Sequence, residues 1–114
     1  MDIEELITTI IQCVVDVRRI LGPGYLESVY RNALMLELKL NGLDAQTEVP
    51  LTVSYKGVTV GDFRADIIVE NRVIIELKAV ETLNVAHEVQ LVNYLTATGL
   101  DSGLLVNFGG KNWQ

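Results

Sequence analysis

The stretch Phe63-Arg-Ala-Asp-Ile-Ile-Val-Glu-Asn-Arg-Val-Ile-Ile-Glu-Leu-Lys-Ala-Val80 decides the fold. It reads as a hairpin. Ile67-Ile-Val69 and Val73-Ile-Ile75 are apolar, β-branched arms, and polar Glu70-Asn-Arg72 lies between them. Side chains alternate faces along a strand, so Glu76 and Lys78 share one face while Leu77 points to the other. A loop running from Glu70 to Arg72 sets Asp66 opposite Glu76, and two carboxylates and one ammonium then converge on one side of the sheet. A loop with an even residue count would turn Asp66 to the wrong face, so the reading depends on register.

Neighbouring carboxylates repel, and a hard divalent cation relieves that repulsion. Mg²⁺ held between Asp66 and Glu76 could lower the pKa of a bound water and neutralise charge on a phosphate oxygen. Lys78 would orient the attacking water or stabilise the charge that develops on phosphorus. The bare pattern is unspecific: an acid-x-Lys triplet arises by chance about once in a chain of this length. Alternating charges on a strand also commonly mark a solvated face with cross-strand ion pairs. Here, however, the charges interrupt a strand that otherwise looks buried on both faces, where charge is costly.

Length and composition bound the rest. A chain of 114 residues is expected to form a single domain, 1–114. Its 49% hydrophobic content can supply a core at this size. No uninterrupted apolar stretch is long enough for a membrane span. The acidic start Met1-Asp-Ile-Glu-Glu5 argues against a signal peptide, and Cys13 as the one cysteine precludes an internal disulfide, so a cytoplasmic location is expected. Cys13 sits in an apolar run and reads as a buried small hydrophobe. The formal net charge of −6 runs against the basic footprint of a nucleic-acid binder.

Ile3, Leu6, Ile7, Ile10, Val14, Val17 and Leu21 fall at helical spacing, which predicts a helix over 3–20 that Gly22-Pro-Gly24 breaks. A second helix is expected from Leu26 to Leu40, ended by Asn41-Gly42. Strand, turn and strand follow from 45 to 60 around Lys56-Gly57, then the hairpin. Asn84 caps a third helix, 85–98, stopped by Gly99. A last strand lies within 103–108. The order α-α-β-β-β-α-β predicts an α/β fold with a mixed four-stranded sheet, one parallel pairing, and helices in two or three layers.

The segment Gly24-Tyr-Leu-Glu27-Ser-Val-Tyr30 resembles the signature of the GxxExxY family, related to the PD-(D/E)XK nuclease superfamily. Asp66 and Glu76-Leu-Lys78 fall where that superfamily places its acid and its E-x-K, and Gln90-Leu-Val-Asn-Tyr94 looks like the Q-x-x-x-Y motif of the RecB-like branch. The resemblance implies a restriction-endonuclease-like core and a metal-dependent nuclease, endo- or exonucleolytic, of prokaryotic type with nucleic acid as partner. Mg²⁺ or Mn²⁺ would be bound by Asp66, Glu76 and the carbonyl of Leu77, with Glu27 completing the shell. Lys78 would assist the base, and Gln90 and Tyr94 would support the site. The alternative is the same scaffold used without turnover as a binding or assembly module. Ala65 replaces the proline of the superfamily's name. The chain ends at Lys111-Asn-Trp-Gln114 where relatives continue into a basic strand, and the sheet edge this would leave open invites a homodimer.

Several residues carry two readings. Glu27 is either a helix-start acid paired with Arg31 at i+4 or a metal ligand. Tyr30 reads as a packing residue with its hydroxyl near the site. His87, Gln90 and Tyr94 share a helix face; His87 reads as a satisfied structural group, and the Gln90 amide needs a partner. Arg64 could hold a phosphate or pair with Glu76, and Glu48 reads as a solvent-facing acid.

Overall fold

The computed structural model describes residues 1–110. The elements are α1 (Ile3–Leu21), α2 (Glu27–Leu40), β1 (Ala45–Tyr55), β2 (Val58–Val69), β3 (Val73–Lys78), α3 (Val85–Thr98) and β4 (Ser102–Asn107). The sheet order is β1-β2-β3-β4, antiparallel except for the parallel β3–β4 pair. This is the predicted α/β order. The two-or-three-layer alternative resolves to three: α1 and α2 cover one face and α3 the other.

The first and third helices have local causes. The Asp2 side chain accepts the Glu5 N–H at 2.8 Å, acids occupy the first turn of α1, and Arg18 and Arg19 occupy its last. Asn84 caps α3, and Gly99 ends it in the left-handed region. The hairpin turn Lys56-Gly57 has positive φ at both residues, as a tight two-residue turn with matching twist requires.

The first core layer joins Leu6, Ile10, Val14 and Val17 of α1 and Leu34 and Leu38 of α2 to Ile67, Val69, Val73, Ile75 and Leu77 of the sheet. Cys13 is buried in it, and desolvation raises its thiol pKa to about 11. The second layer sets Leu91 and Tyr94 of α3 against Ala65, Ile68 and Ile74. Strand β3 is therefore covered on both sides, as its near-continuous apolar sequence suggests. The distal part of the β1–β2 ribbon is uncovered, with Tyr55, Val58 and Val60 each more than 60% exposed.

Two clamps position the strand ends near the site. The Tyr30 hydroxyl donates to the Gly22 carbonyl at 2.6 Å and accepts the Tyr25 N–H at 3.2 Å, while its ring stacks on Phe108 at 4.6 Å. Tyr30 thus packs as expected, but these bonds tie its hydroxyl to the α1–α2 connection. Fully buried Asn107 accepts the Val80 and Gly109 N–H groups, each at 3.0 Å, and donates to the Val80 carbonyl at 2.8 Å. Arg18 of α1 donates to the carbonyls of Asn107 and Gly110. The Lys111–Gln114 segment, on which the open-edge expectation rests, lies outside the described residues.

Gly109 marks how tightly these ends pack: a Cβ there would lie 2.5 Å from the Ala79 carbonyl carbon and 2.6 Å from the Val80 nitrogen. At Gly103 the nearest obstacle is the mobile end of the Leu91 side chain, at 2.9 Å. Gly109→Ala is therefore expected to cost roughly 2–4 kcal/mol in urea unfolding, and Gly103→Ala under about 1.5 kcal/mol. Equal costs would show that the β4 end is not braced against the backbone after β3.

Candidate active site where the central strands part

The β2–β3 ladder pairs Val69 with Val73, Ile68 with Ile74 and Ile67 with Ile75. The loop between these strands is Glu70 to Arg72, with positive φ at Glu70 and Asn71, so its odd count sets Asp66 across from Glu76. There carboxylates continue the ladder. The Asp66 N–H donates to Glu76 Oε1 at 3.2 Å, and the Leu77 N–H donates to Asp66 Oδ2 at 2.7 Å. Each acid is thereby held by the backbone of the other's strand.

The face alternation of β2 slips at the same place. Phe63 and Ala65 pack on the α3 side, whereas Ile67 and Val69 pack on the α1–α2 side. Between Ala65 and Ile67, residues of regular alternation would share one side. Glu48, which stands across from Asp66 on β1, has a positive φ of 50°, and the Thr47 hydroxyl bonds the Asp66 carbonyl at 3.0 Å. The slip lets Asp66 address both sides of the sheet: a polar pocket under α2 and Tyr94 under α3.

The polar pocket, about 130 Å³, is lined by Glu27, Arg31, Asp66, Leu77 and Lys78. Glu27 is the first residue of α2, a place fixed by the Tyr30 clamp one turn later. Arg31 reaches Glu48 at 3.4 Å, so its ion pair is with the neighbouring strand, and Glu48 is not merely solvent-facing. Lys78 lies at the end of β3, its carbonyl accepting the Phe108 N–H at 2.8 Å. Among the described residues, no three His, Cys, Asp or Glu side chains cluster tightly enough to hold a metal by themselves. The close acid pair is Asp66 and Glu76, with Glu27 lining the same pocket as Asp66.

On the other face, Tyr94 is buried and stacks on Phe63 at 4.6 Å. Its hydroxyl pKa is raised by burial and then by the charges of Glu76 and Asp66, while a hydrogen bond from Gln90 opposes the rise. Gln90 therefore lies close enough to Tyr94 to oppose that rise. His87 is satisfied as expected: its Nδ1 accepts the Asn84 N–H at 3.1 Å in a capping box. Arg64 is exposed, and no Arg64–Glu76 ion pair occurs among the described residues.

Glu76 is 3% exposed and carries the strained electrostatics. Burial first, and then the Asp66 charge, push its pKa up to about 8. The Asp66 N–H and Lys78 pull it down less strongly. An all-oxygen donor pair that disfavours its own ionisation fits a hard divalent cation, which would restore both charges. One oxygen of each carboxylate is engaged by a backbone N–H, which fixes its orientation; the Leu77 carbonyl follows Glu76 directly in the chain. Sequence reasoning missed Arg18 and Asn107, whose backbone partners leave no periodic signal.

A raised acid pKa means that the folded state holds its proton more tightly than the unfolded chain. Between about 4.5 and 8 the folded state binds more protons, so stability falls as pH rises through that window. In metal-free buffer, wild-type protein is expected to lose up to about 4 kcal/mol relative to Glu76→Gln between pH 5 and pH 8.5. Parallel stability curves for the two proteins would show that Glu76 ionises normally.

The profile of the PD-(D/E)XK nuclease superfamily matches residues 4–114. No curated protein and no solved structure gives a significant match. With an acid on β2, a Glu-x-Lys on β3 and the match running through nearly the whole chain, this protein belongs to the PD-(D/E)XK nuclease superfamily.

Proposed function

We propose that the protein is a metal-dependent nuclease of the GxxExxY family, RecB-like in its α3 motif, that hydrolyses phosphodiester bonds in nucleic acid. One observation carries this reading: Asp66 and Glu76 are locked together by reciprocal backbone bonds although burial and mutual charge oppose it. Such an arrangement costs stability, and cation binding gives it a use.

Asp66, Glu76 and the Leu77 carbonyl would hold Mg²⁺ or Mn²⁺, with Glu27 as the further acid of the pocket. When bound, the ion supplies a water of lowered pKa and neutralises charge on the scissile phosphate. Lys78, beside Asp66 in the pocket, would orient the attacking water and offset negative charge as it develops. Tyr94, buried under α3 where it feels the charge of both acids, would support the pair from that side together with Gln90. Arg31, paired with Glu48, stands ready at the pocket wall to meet a phosphate oxygen.

The net charge of −6 favours a second reading, a scaffold that binds a partner without turnover. Metal affinity separates the two. Calorimetry with Mn²⁺ is expected to show binding that Glu76→Ala abolishes. With Mn²⁺ present, single- and double-stranded DNA and RNA should reveal cleavage that Glu76→Ala and Lys78→Ala each reduce at least about 100-fold. Cleavage that survives Glu76→Ala, or none with any of these substrates, rules out the catalytic reading.

A further inference from the structure

Helix α2 carries apolar side chains on two faces. Tyr30, Leu34 and Leu38 point into the core and are fully buried. Leu26, Val29, Ala33, Leu36 and Leu40 recur at alternating steps of three and four residues, which sets them in a second stripe across the helix. Leu26 is 77%, Leu36 58% and Leu40 71% exposed. Apolar side chains scattered singly over a surface are ordinary; an aligned row of leucines marks a contact. Leu26 also breaks a local preference. It stands at the N-cap of α2, where Ser, Thr, Asp or Asn would accept an amide hydrogen bond, yet its side chain caps nothing and projects outward. At the other end of the same helix, Met35, Leu36, Lys39, Leu43, Asp44 and Ala45 line a mostly apolar cavity of about 370 Å³. One end of α2 thus presents a knob and the other a hole.

We propose that this stripe is the interface of a homodimer, in which α2 packs antiparallel against α2 of a second copy and each Leu26 enters the other's cavity. Shape selects this occupant first. A two-fold axis across α2 brings every knob to a hole, and the same register sets Leu36 against the small Ala33 and Val29 against Leu40. Parallel pairing would gather both knobs at one end and leave both holes empty. Charge agrees. No charged residue belongs to the stripe, so two copies of net charge −6 meet there without burying a carboxylate. Area agrees too. Helices of 19 and 14 residues, side by side, give each copy a layer with a footprint of roughly 500 Å². Two such footprints reach the roughly 1,000 Å² of a specific interface, with exposed polar residues of α1, such as Gln12 and Arg19, as its rim. The contact is a helix layer and not an open sheet edge. Glu27 and Arg31 lie across α2 from the stripe, so the polar pocket stays open in the dimer, and the inference does not depend on the nuclease reading.

Sedimentation velocity on the full chain should show a monomer–dimer equilibrium with a dissociation constant on the order of 10 µM, as an interface at the small end of the specific range gives. Leu36→Glu should weaken the dimer at least about 30-fold while the circular dichroism spectrum stays the same, because that side chain is already exposed. Val92→Glu, on the exposed face of α3, should leave the dimer unchanged. Leu26→Ser separates docking from folding. It supplies the missing cap, so it should raise the melting temperature of the dilute monomer while weakening the dimer about tenfold. The direction of pairing is read at exposed Asn32. Antiparallel helices bring it beside Lys39 of the partner subunit, parallel helices beside Glu37 of the partner subunit. Asn32→Glu should therefore tighten the dimer about threefold and Asn32→Lys weaken it. A monomer up to about 500 µM overturns the proposal. So does a dimer that Val92→Glu dissociates and Leu36→Glu does not, a dimer that Leu26→Ser leaves intact, or the opposite pair of responses at Asn32.

Discussion

Everything at the candidate site depends on two hydrogen bonds that replace rungs of the β2–β3 ladder. Where backbone would normally meet backbone, the Asp66 N–H meets a Glu76 oxygen and the Leu77 N–H meets an Asp66 oxygen. The exchange satisfies amides that would otherwise be orphaned as the strands part. It also fixes two acids at close range in a partly buried place. A carboxylate pair on flexible side chains would simply turn toward water; this one cannot turn without breaking the sheet. Held orientation, more than the mere presence of acids, separates this arrangement from a solvated charged face.

The surrounding layers serve that constraint. Helix α1 reaches through Arg18 to the carbonyls at the end of β4, and Asn107 stitches β4 to the chain just after β3. Tyr30, anchored in the α1–α2 connection and stacked on Phe108, sets the height at which Glu27 enters the polar pocket. On the far side, Phe63 and Tyr94 brace each other beneath α3. Elements distant in sequence thus meet around a few residues of β2 and β3. No helix among the described residues is long and apolar enough to cross a membrane.

Much of this was legible before any coordinates. Heptad-like apolar spacing located α1, and Asn84 and Gly99 bracketed α3 at its observed limits. The sequence made the meeting of Asp66 and Glu76 conditional on a Glu70–Arg72 loop, and the β2–β3 register meets that condition. What escaped was geometry without a periodic signature. Alternation along β2 predicts a single face for Ala65 and Ile67, and the slip at Asp66 breaks it where Glu48, opposite on β1, takes a left-handed conformation. Arg31 has an i−4 acid within the same helix, yet Glu48 of β1 is its observed partner. Asn107 lies in an apolar strand where a polar residue looks like an exception; its three backbone bonds explain it.

Cys13 lends the chain a property unrelated to its chemistry. The thiol is sealed under α1 and holds its proton far above neutral pH, so thiol-directed reagents meet neither an accessible sulfur nor a thiolate. Alkylation therefore waits for the first helix to lift from the sheet. The protein carries its own clock for that opening, readable by mass from a single sulfur atom.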